Sequence, residues 1–455
     1  MKKDSETENG LQRRLGLFPV LNIVIANMIG TGIFTTSGLL MQGLHIPMLM
    51  IGLWGAAGII ALCGALCYGE LGAAFPRAGG EYVFLSELYH PILGFLSGWV
   101  SLVVGFSAPI AAASIGVSAY WIRAFPGLLT WVASVNVDPL FVRRAISMAV
   151  LIGFTLVHLR GLKTGARVQN VLTVAKILFI AGLIILGFTL GRGSLSHFHA
   201  PVDSAVVRPG WKTLGLSIMW ILFAYSGWNA ATYMGSEIKN PRRNLPRSLI
   251  FGTLIVMFLY MLLNLLYVYA VPAEAMKGVI SIGGLAVGRL FGAGWERIFS
   301  FLIGMALFSS ISAYIMLGPR VCFAMARDGC FFNLAGRVNP ETHAPSGSIL
   351  IQTGLAAVMI MTGTFDQILT YMGFALGIFP ILAVFGVFKL RRIRPGKSMI
   401  PLFPLPPLVY GVSGVMILIL AFMARPVESS IALAVVCTGI PAYALFMNMK
   451  KRRGQ

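Results

Sequence analysis

Two interruptions in otherwise apolar sequence carry the chemistry of this chain. Gly30-Thr31-Gly32 breaks a hydrophobic segment over residues 16–42, and Ser226-Gly227 breaks a second over residues 211–238. Lipid offers no partner to a freed N–H or C=O, and each orphan costs several kcal/mol. A membrane helix is therefore broken only where the exposed groups bind something. Past the first break a half-helix is expected from about Ile33, and its N-terminal N–H groups and dipole make an anion site. Before the second break a half-helix ends and frees the carbonyls of Phe223, Ala224 and Tyr225, which suit a cation. Ile29, Gly30, Thr31 and Gly32 on one side, with Phe223 to Gly227 and Asn229 on the other, fit a zwitterion held by carboxylate and ammonium. Glycines can also be mere packing points between helices. Matching breaks in two halves of a chain favour a transport site.

What must position these breaks is a set of membrane helices. The chain has 455 residues, 57% hydrophobic and only 11% charged, with a mean hydropathy of +0.83. A soluble domain averages about 25% charged residues. Twelve apolar stretches lie near residues 16–42, 48–73, 91–121, 144–160, 168–190, 211–238, 248–271, 293–325, 347–363, 366–388, 402–423 and 428–448. Most can cross a hydrocarbon core, which takes about 20 helical residues; the fourth and ninth are short. No strand-like alternation recurs, so helices are expected rather than a barrel. The fold class is an all-α polytopic membrane protein with twelve transmembrane helices, the first and sixth broken. Residues 16–190 hold five stretches, and residues 211–388 hold five more over nearly the same length. Five being odd, the second set enters from the opposite side, which is a 5+5 inverted repeat. Residues 402–448 add two helices, and residues 1–15 and 449–455 form tails.

The net charge of +20 suggests nucleic acid until its distribution is read. With the N-terminus inside, 23 Lys and Arg residues fall in cytoplasmic segments and 10 in external ones, leaving Lys176 and Arg320 within helices. That bias follows the positive-inside rule and puts both termini in the cytoplasm. Contact with anionic lipid is expected, and no nucleic-acid partner. The first stretch is too long for a signal peptide and has no convincing cleavage site. Cys63 and Cys67 lack a zinc spacing, and the six histidines show no HExxH or GxSxG pattern. No metal, cofactor or enzymatic activity is expected. No channel filter motif is visible either.

Several motifs then resemble one family. Gly30-Thr31-Gly32-Ile33-Phe34 is similar to the first-helix signature of the amino acid–polyamine–organocation (APC) superfamily, and Phe75-Pro76-Arg77-Ala78-Gly79-Gly80-Glu81-Tyr82 to its loop after helix 2. Phe223-Ala224-Tyr225-Ser226-Gly227-Trp228-Asn229 resembles the sixth-helix signature of the L-type amino acid transporter branch. Glu237-Ile238-Lys239-Asn240-Pro241 resembles the loop that follows, and Arg320 with Ala326-Arg327-Asp328-Gly329 the end of helix 8. The resemblance implies the leucine-transporter (LeuT) fold, alternating access and a permease or antiporter of the cell (inner) membrane. It further implies that Phe223 caps the substrate from outside and that Asn229 couples substrate to the first helix. Ser226 departs from a glycine common in that branch, which disfavours bulky aromatic substrates.

The fifteen acidic residues include none at the centre of a stretch; Glu70, Glu237 and Asp366 lie near ends. A cationic side chain deep in the membrane would want a carboxylate, so neutral L-amino acids are expected. Cationic amino acids or polyamines held by cation–π contacts are the alternative. Ser107 and Tyr314 are further pocket candidates. Glu70, Arg77, Glu81, Glu237 and Arg320 gather near the cytoplasmic ends, where they are either simply solvated or close a cytoplasmic gate. Lys176 lies about 12 Å into the fifth stretch, deep for a charge. It either snorkels to the surface or, as resemblance to the sodium-independent members implies, reaches the carbonyls of the first break in place of sodium. A buried ammonium could also exchange a proton, which leaves a proton-coupled symporter open. No obligate protein partner is inferred.

Overall fold

The computed structural model describes residues 11–128, 134, 137–199, 209–292, 294–362, 365–395 and 399–452. Among the described residues there is no named strand, only the isolated bridges Leu15–Ile238 and Ala78–Met234. The first stretch forms two helices, α1 (Leu17–Met28) and α2 (Gly32–Leu44), then α3 (Pro47–Ala74), α4 (Glu81–Leu88) and α5 (Pro91–Ala124) follow. α5 widens into a π-turn over Ser101–Ser107. Pro109 lacks the N–H that Gly105 O would accept, and the ladder shifts register around that gap.

α6 (Pro139–Leu159) starts at Asp138, whose carboxylate caps Leu140 N at 2.9 Å. Next come α7 (Leu162–Thr189), α8 (Trp211–Tyr225), α9 (Pro241–Ala270), α10 (Ile282–Phe291) and α11 (Trp295–Arg327). The chain closes with α12 (Ser346–Thr362), α13 (Phe365–Ile393), α14 (Leu405–Ala424) and α15 (Pro426–Arg452). Each of the twelve expected stretches carries helix. Nine helices among the described residues are long and apolar enough to cross a membrane, counting Leu17–Leu44 as one. α7 shows the lipid-facing pattern: Val171, Leu178 and Ile185, seven apart on one face, are 64%, 66% and 61% exposed. The chain is a multi-pass helical membrane protein.

Three details differ from the sequence reading. α6 and α9 begin at prolines well before their apolar stretches, taking in Arg143, Arg144, Arg242 and Arg243, because proline at the first turn starts a helix whatever the polarity beyond it. Past Ser226 the sixth stretch does not resume as an α-helix; it runs as 3₁₀ turns over Ala230–Tyr233 and Gly235–Glu237. Gly227 at φ +100° turns the chain too sharply for a new α-turn. Short helices, α4, α10 and Ala273–Met276 among them, occupy what read as loops. The side chain of Asp366 lies outside the described residues, as do parts of both tails.

The broken helix α1 sits at the centre, packed against α7, α9 and α11, with α3 packed along α9 and α5 along α11. Val20 and every residue from Asn22 to Met28 on α1 are buried. α14 and α15 lie outside this group and expose Val412, Ile419 and Val427.

Candidate functional site

The two breaks touch. A Cβ on Gly32 would lie 2.8 Å from Ala224 Cβ and 2.9 Å from Ala224 Cα, far inside van der Waals contact. A Cβ on Gly227 would collide with the Asn27 amide and stand 2.8 Å from its carbonyl carbon. Glycine is thus required at both crossing points. Gly227 also sits in the left-handed region at φ +100°, which side chains rarely adopt.

α1 ends because Ile29 leaves helical geometry (φ −81°, ψ 89°) and Gly30 N turns back to Met28 O at 3.0 Å. That frees the carbonyls of Ala26, Asn27 and Ile29, and side chains from other helices claim these and reach Met28 O as well. Lys176 Nζ on α7 donates to Ile29 O (2.5 Å) and Ala26 O (3.4 Å), and to Ser310 Oγ (2.9 Å). Ser310 on α11 also reaches Ile29 O at 2.9 Å. Tyr314 donates to Asn27 O (3.4 Å). The Tyr260 hydroxyl on α9 lies 2.8 Å from Met28 O and 3.0 Å from Ala224 O, so one group bridges the two breaks. Lys176 is 2% exposed, and it does not snorkel.

A partly open cavity of about 140 Å³, lined by apolar side chains with a few polar groups, lies beside the breaks. Asn27, Glu81, Ser97, Phe223, Ser226, Gly227, Trp228, Asn229, Tyr233 and Tyr314 contribute to its wall. A second cavity of about 240 Å³ is lined by Thr31, Thr35, Thr36, Met219, Phe223, Arg425 and Glu428. Phe223 and Met219 line both, so they separate one from the other.

The expected site residues therefore divide. Phe223, Ser226, Gly227 and Asn229 line the inner cavity and Thr31 the outer one, while the Cβ direction of Gly30 meets open space. Ile29, Gly32, Ala224 and Tyr225 stand behind the wall. The Tyr225 ring packs on Trp54 and Tyr260, with centroids 5.7 and 5.0 Å away. The Phe223 carbonyl, expected to be free, accepts Ser226 N at 3.0 Å, because the chain tightens as α8 ends. Ser107 is buried at the end of the π-turn and is absent from the described cavity wall.

The charges expected to gather in one gate form three separate clusters. Arg320 pairs side-on with Glu237 through two 2.9 Å bonds, the side chains 3% and 0% exposed. Glu70 pairs with Arg391 at 3.0 and 3.1 Å, a partner about 320 residues away that sequence reading had no means to assign. Arg77 reaches Glu87 (3.0 Å) and Asp328 (3.4 Å), and Tyr82 donates to Asp328 at 2.6 Å. Burial and that carboxylate push the Tyr82 hydroxyl well above its usual range.

Replacing Arg320 with Met should cost about 3–5 kcal/mol, because it leaves Glu237 buried and unpaired. The check is the thermal midpoint of the detergent-purified protein. An unshifted midpoint would show that the pair is not structural.

Glu81 departs most from expectation. It does not join the gate charges. It is 4% exposed, and Asn229 Nδ2 donates to it at 2.6 Å and Ser97 Oγ at 3.4 Å. Gly79 and Gly80, both at positive φ, turn the chain inward here, and Gly79 N bonds Tyr233 O at 3.1 Å. The cavity thus contains a carboxylate, contrary to the reading that none was available. Tyr260, Ser310, Asn27 and Tyr233 were likewise missed. Their one signal in the sequence is a polar side chain inside an apolar stretch, which many packing residues share.

Two broken helices that meet beside a cavity with a few convergent polar groups, inside a multi-pass bundle, define a membrane transporter. A profile described as amino acid permease matches residues 15–446, and the chain belongs to that family, within the APC superfamily. It is 28% identical over 455 residues to the serine/threonine exchanger SteT of Bacillus subtilis, covering 98% of this chain and 99% of that one. It is also 27% identical to the human Asc-type amino acid transporter 1 (96% and 82% covered) and 26% identical to the human b(0,+)-type amino acid transporter 1 (97% and 89%).

Proposed function

We propose that the chain is a secondary transporter that exchanges small neutral L-amino acids across the inner membrane, independently of sodium. It does so by alternating access in a LeuT-type arrangement of twelve helices. The units are repeats 16–190 and 211–388 plus the helices of 402–448, with both termini cytoplasmic. The N–H groups of Thr31 and Gly32 take the substrate carboxylate, Gly30 N being held by Met28 O, and the carbonyl of Tyr225 takes its ammonium, those of Phe223 and Ala224 already accepting Ser226 N and the Tyr260 hydroxyl. Phe223, between the two cavities, caps the bound substrate. Arg320–Glu237, Glu70–Arg391 and the Arg77 cluster hold the cytoplasmic side closed.

The observation that carries this reading is Lys176 Nζ at 2.5 Å from Ile29 O, where a cation is needed to hold the broken helix. The cavity volume of about 140 Å³ is in keeping with a small substrate such as alanine, serine or threonine, since a void of about 150 Å³ holds a molecule the size of benzene. The serine/threonine exchanger among the relatives supports the same class. The carboxylate of Glu81 in the wall favours a second reading, a permease for cationic amino acids or polyamines.

The test is uptake and counterflow of radiolabelled amino acids by the purified protein in sodium-free proteoliposomes. Alanine, serine or threonine should enter, and internal amino acid should accelerate entry. Arginine or polyamine uptake without any of the three would overturn the proposal.

A further inference from the structure

We propose that Glu81 is a proton-binding site on the transport path, so that substrate and proton occupy the inner cavity together. This rests on the amino acid transporter reading above and adds an ion that travels with the substrate.

The cavity places a carboxyl group beside its ligand without a protein cation to balance it. Glu237, equally buried, has Arg320, and half-buried Glu70 has Arg391. Among the described residues no Lys, Arg or His forms an ion pair with Glu81. Arg77, four residues away, is taken by Glu87 and Asp328. Lys176 is bound at the first break and makes no ion pair with Glu81. The titratable groups that face Glu81 are three tyrosines: Tyr68 of α3, Tyr233 of the 3₁₀ turn and Tyr410 of α14. All three are neutral near pH 7. α5 and the α8 break contribute only Ser97 and Asn229, which are uncharged.

A buried carboxylate without a cation is costly, and it is neutralised by a proton or by a charge on the ligand. A zwitterionic amino acid brings no net charge, so beside ionised Glu81 the loaded cavity would keep an uncompensated negative charge. A proton from water cancels it. Burial pushes the Glu81 carboxyl above the ordinary carboxylate range, the direction this requires. The amide of Asn229 donates to Glu81 and, at 3.3 Å, to the Tyr233 hydroxyl, which leaves its oxygen free to accept from the substrate. Losing the carboxyl would also release that amide.

By linkage, a proton bound more tightly in the loaded cavity favours substrate at acid pH, and the gain is lost as pH rises through the raised pKa. The experiment follows net L-serine uptake, or that of the amino acid that the panel shows to enter fastest, in sodium-free proteoliposomes loaded with a pH dye and no internal amino acid, so that no proton leaves with a counter-substrate. In the wild type KM should rise with pH, by up to about tenfold per unit in the titrating range, and uptake should acidify the lumen. In Glu81→Gln the KM should change by less than about twofold over the same range, and acidification should stop. Glu81→Asp, should the Gln variant fail to fold, is expected to move the midpoint of the profile.

A wild-type pH profile in Glu81→Gln, undiminished acidification, an unmoved midpoint in Glu81→Asp or a flat wild-type profile would each overturn the proposal. So would selective loss of lysine uptake with the serine profile intact, which would assign the carboxylate to a cationic side chain. Absence of any sodium-free serine or other amino acid counterflow by the wild type would instead defeat the transporter reading itself.

Discussion

Lys176→Ala is expected to lose about 99% of sodium-free uptake while the protein still purifies as a folded species. Two carbonyls of the broken helix, Ile29 O and Ala26 O, bond its ammonium, and Ser310 reaches both from the other side. Removing the ammonium leaves Ser310 to serve two acceptors with one proton. An unmet buried polar group costs about 1–3 kcal/mol, and 2.7 kcal/mol corresponds to about 100-fold in rate. The loss should appear as slower transport, because α1 would no longer be held beside the backbone N–H groups proposed to bind substrate. Initial uptake in sodium-free buffer checks this for both proteins. A normal rate in the variant, or a wild-type requirement for sodium, would remove Lys176 from the mechanism. Partial rescue of the variant by sodium would identify the position as a cation site directly.

The second large effect is expected at the crossing glycines. Gly32→Ala should reduce substrate affinity by about 100-fold or more, because its methyl group would stand 2.8 Å from Ala224 Cβ, against an optimum of about 3.5–4.0 Å. The breaks must then part. Gly227→Ala adds backbone strain of about 1–3 kcal/mol to its clash with Asn27. Gly30→Ala should be nearly silent, since nothing lies within 4 Å of the added carbon. Gly30→Leu should abolish binding without unfolding, by filling the space proposed for the substrate carboxylate. Ligand-induced thermal shifts in detergent measure all four. Undiminished affinity in Gly32→Ala or Gly30→Leu would sink the zwitterion cradle.

The first break was readable to within a residue, from Gly30-Thr31-Gly32 alone, because a helix interruption is a local event. The depth of Lys176 was readable by counting from the start of its stretch. Glu81 was misplaced for the opposite reason. It lies outside any apolar stretch, so the sequence makes it look like a loop charge. Its burial comes from the Gly79-Gly80 turn docking against Tyr233, more than 150 residues away. The Glu70–Arg391 pair was invisible on the same ground.

By itself, the sequence determined that the chain is helical and membrane-embedded, that two of its helices are broken, and that a Lys lies deep in a third. Each is a property of composition or of a few adjacent residues, and lipid punishes unpaired backbone so strictly that such signals are hard to hide. Only the tertiary structure decided what the breaks face. The last carbonyls before the first break are met by side chains of α7, α9 and α11, and one Tyr260 hydroxyl ties both breaks together. The partners of the first break stand about 150 to 290 residues from the carbonyls they serve. No spacing along the chain encodes such a meeting, because it depends on how whole helices pack around the cavity.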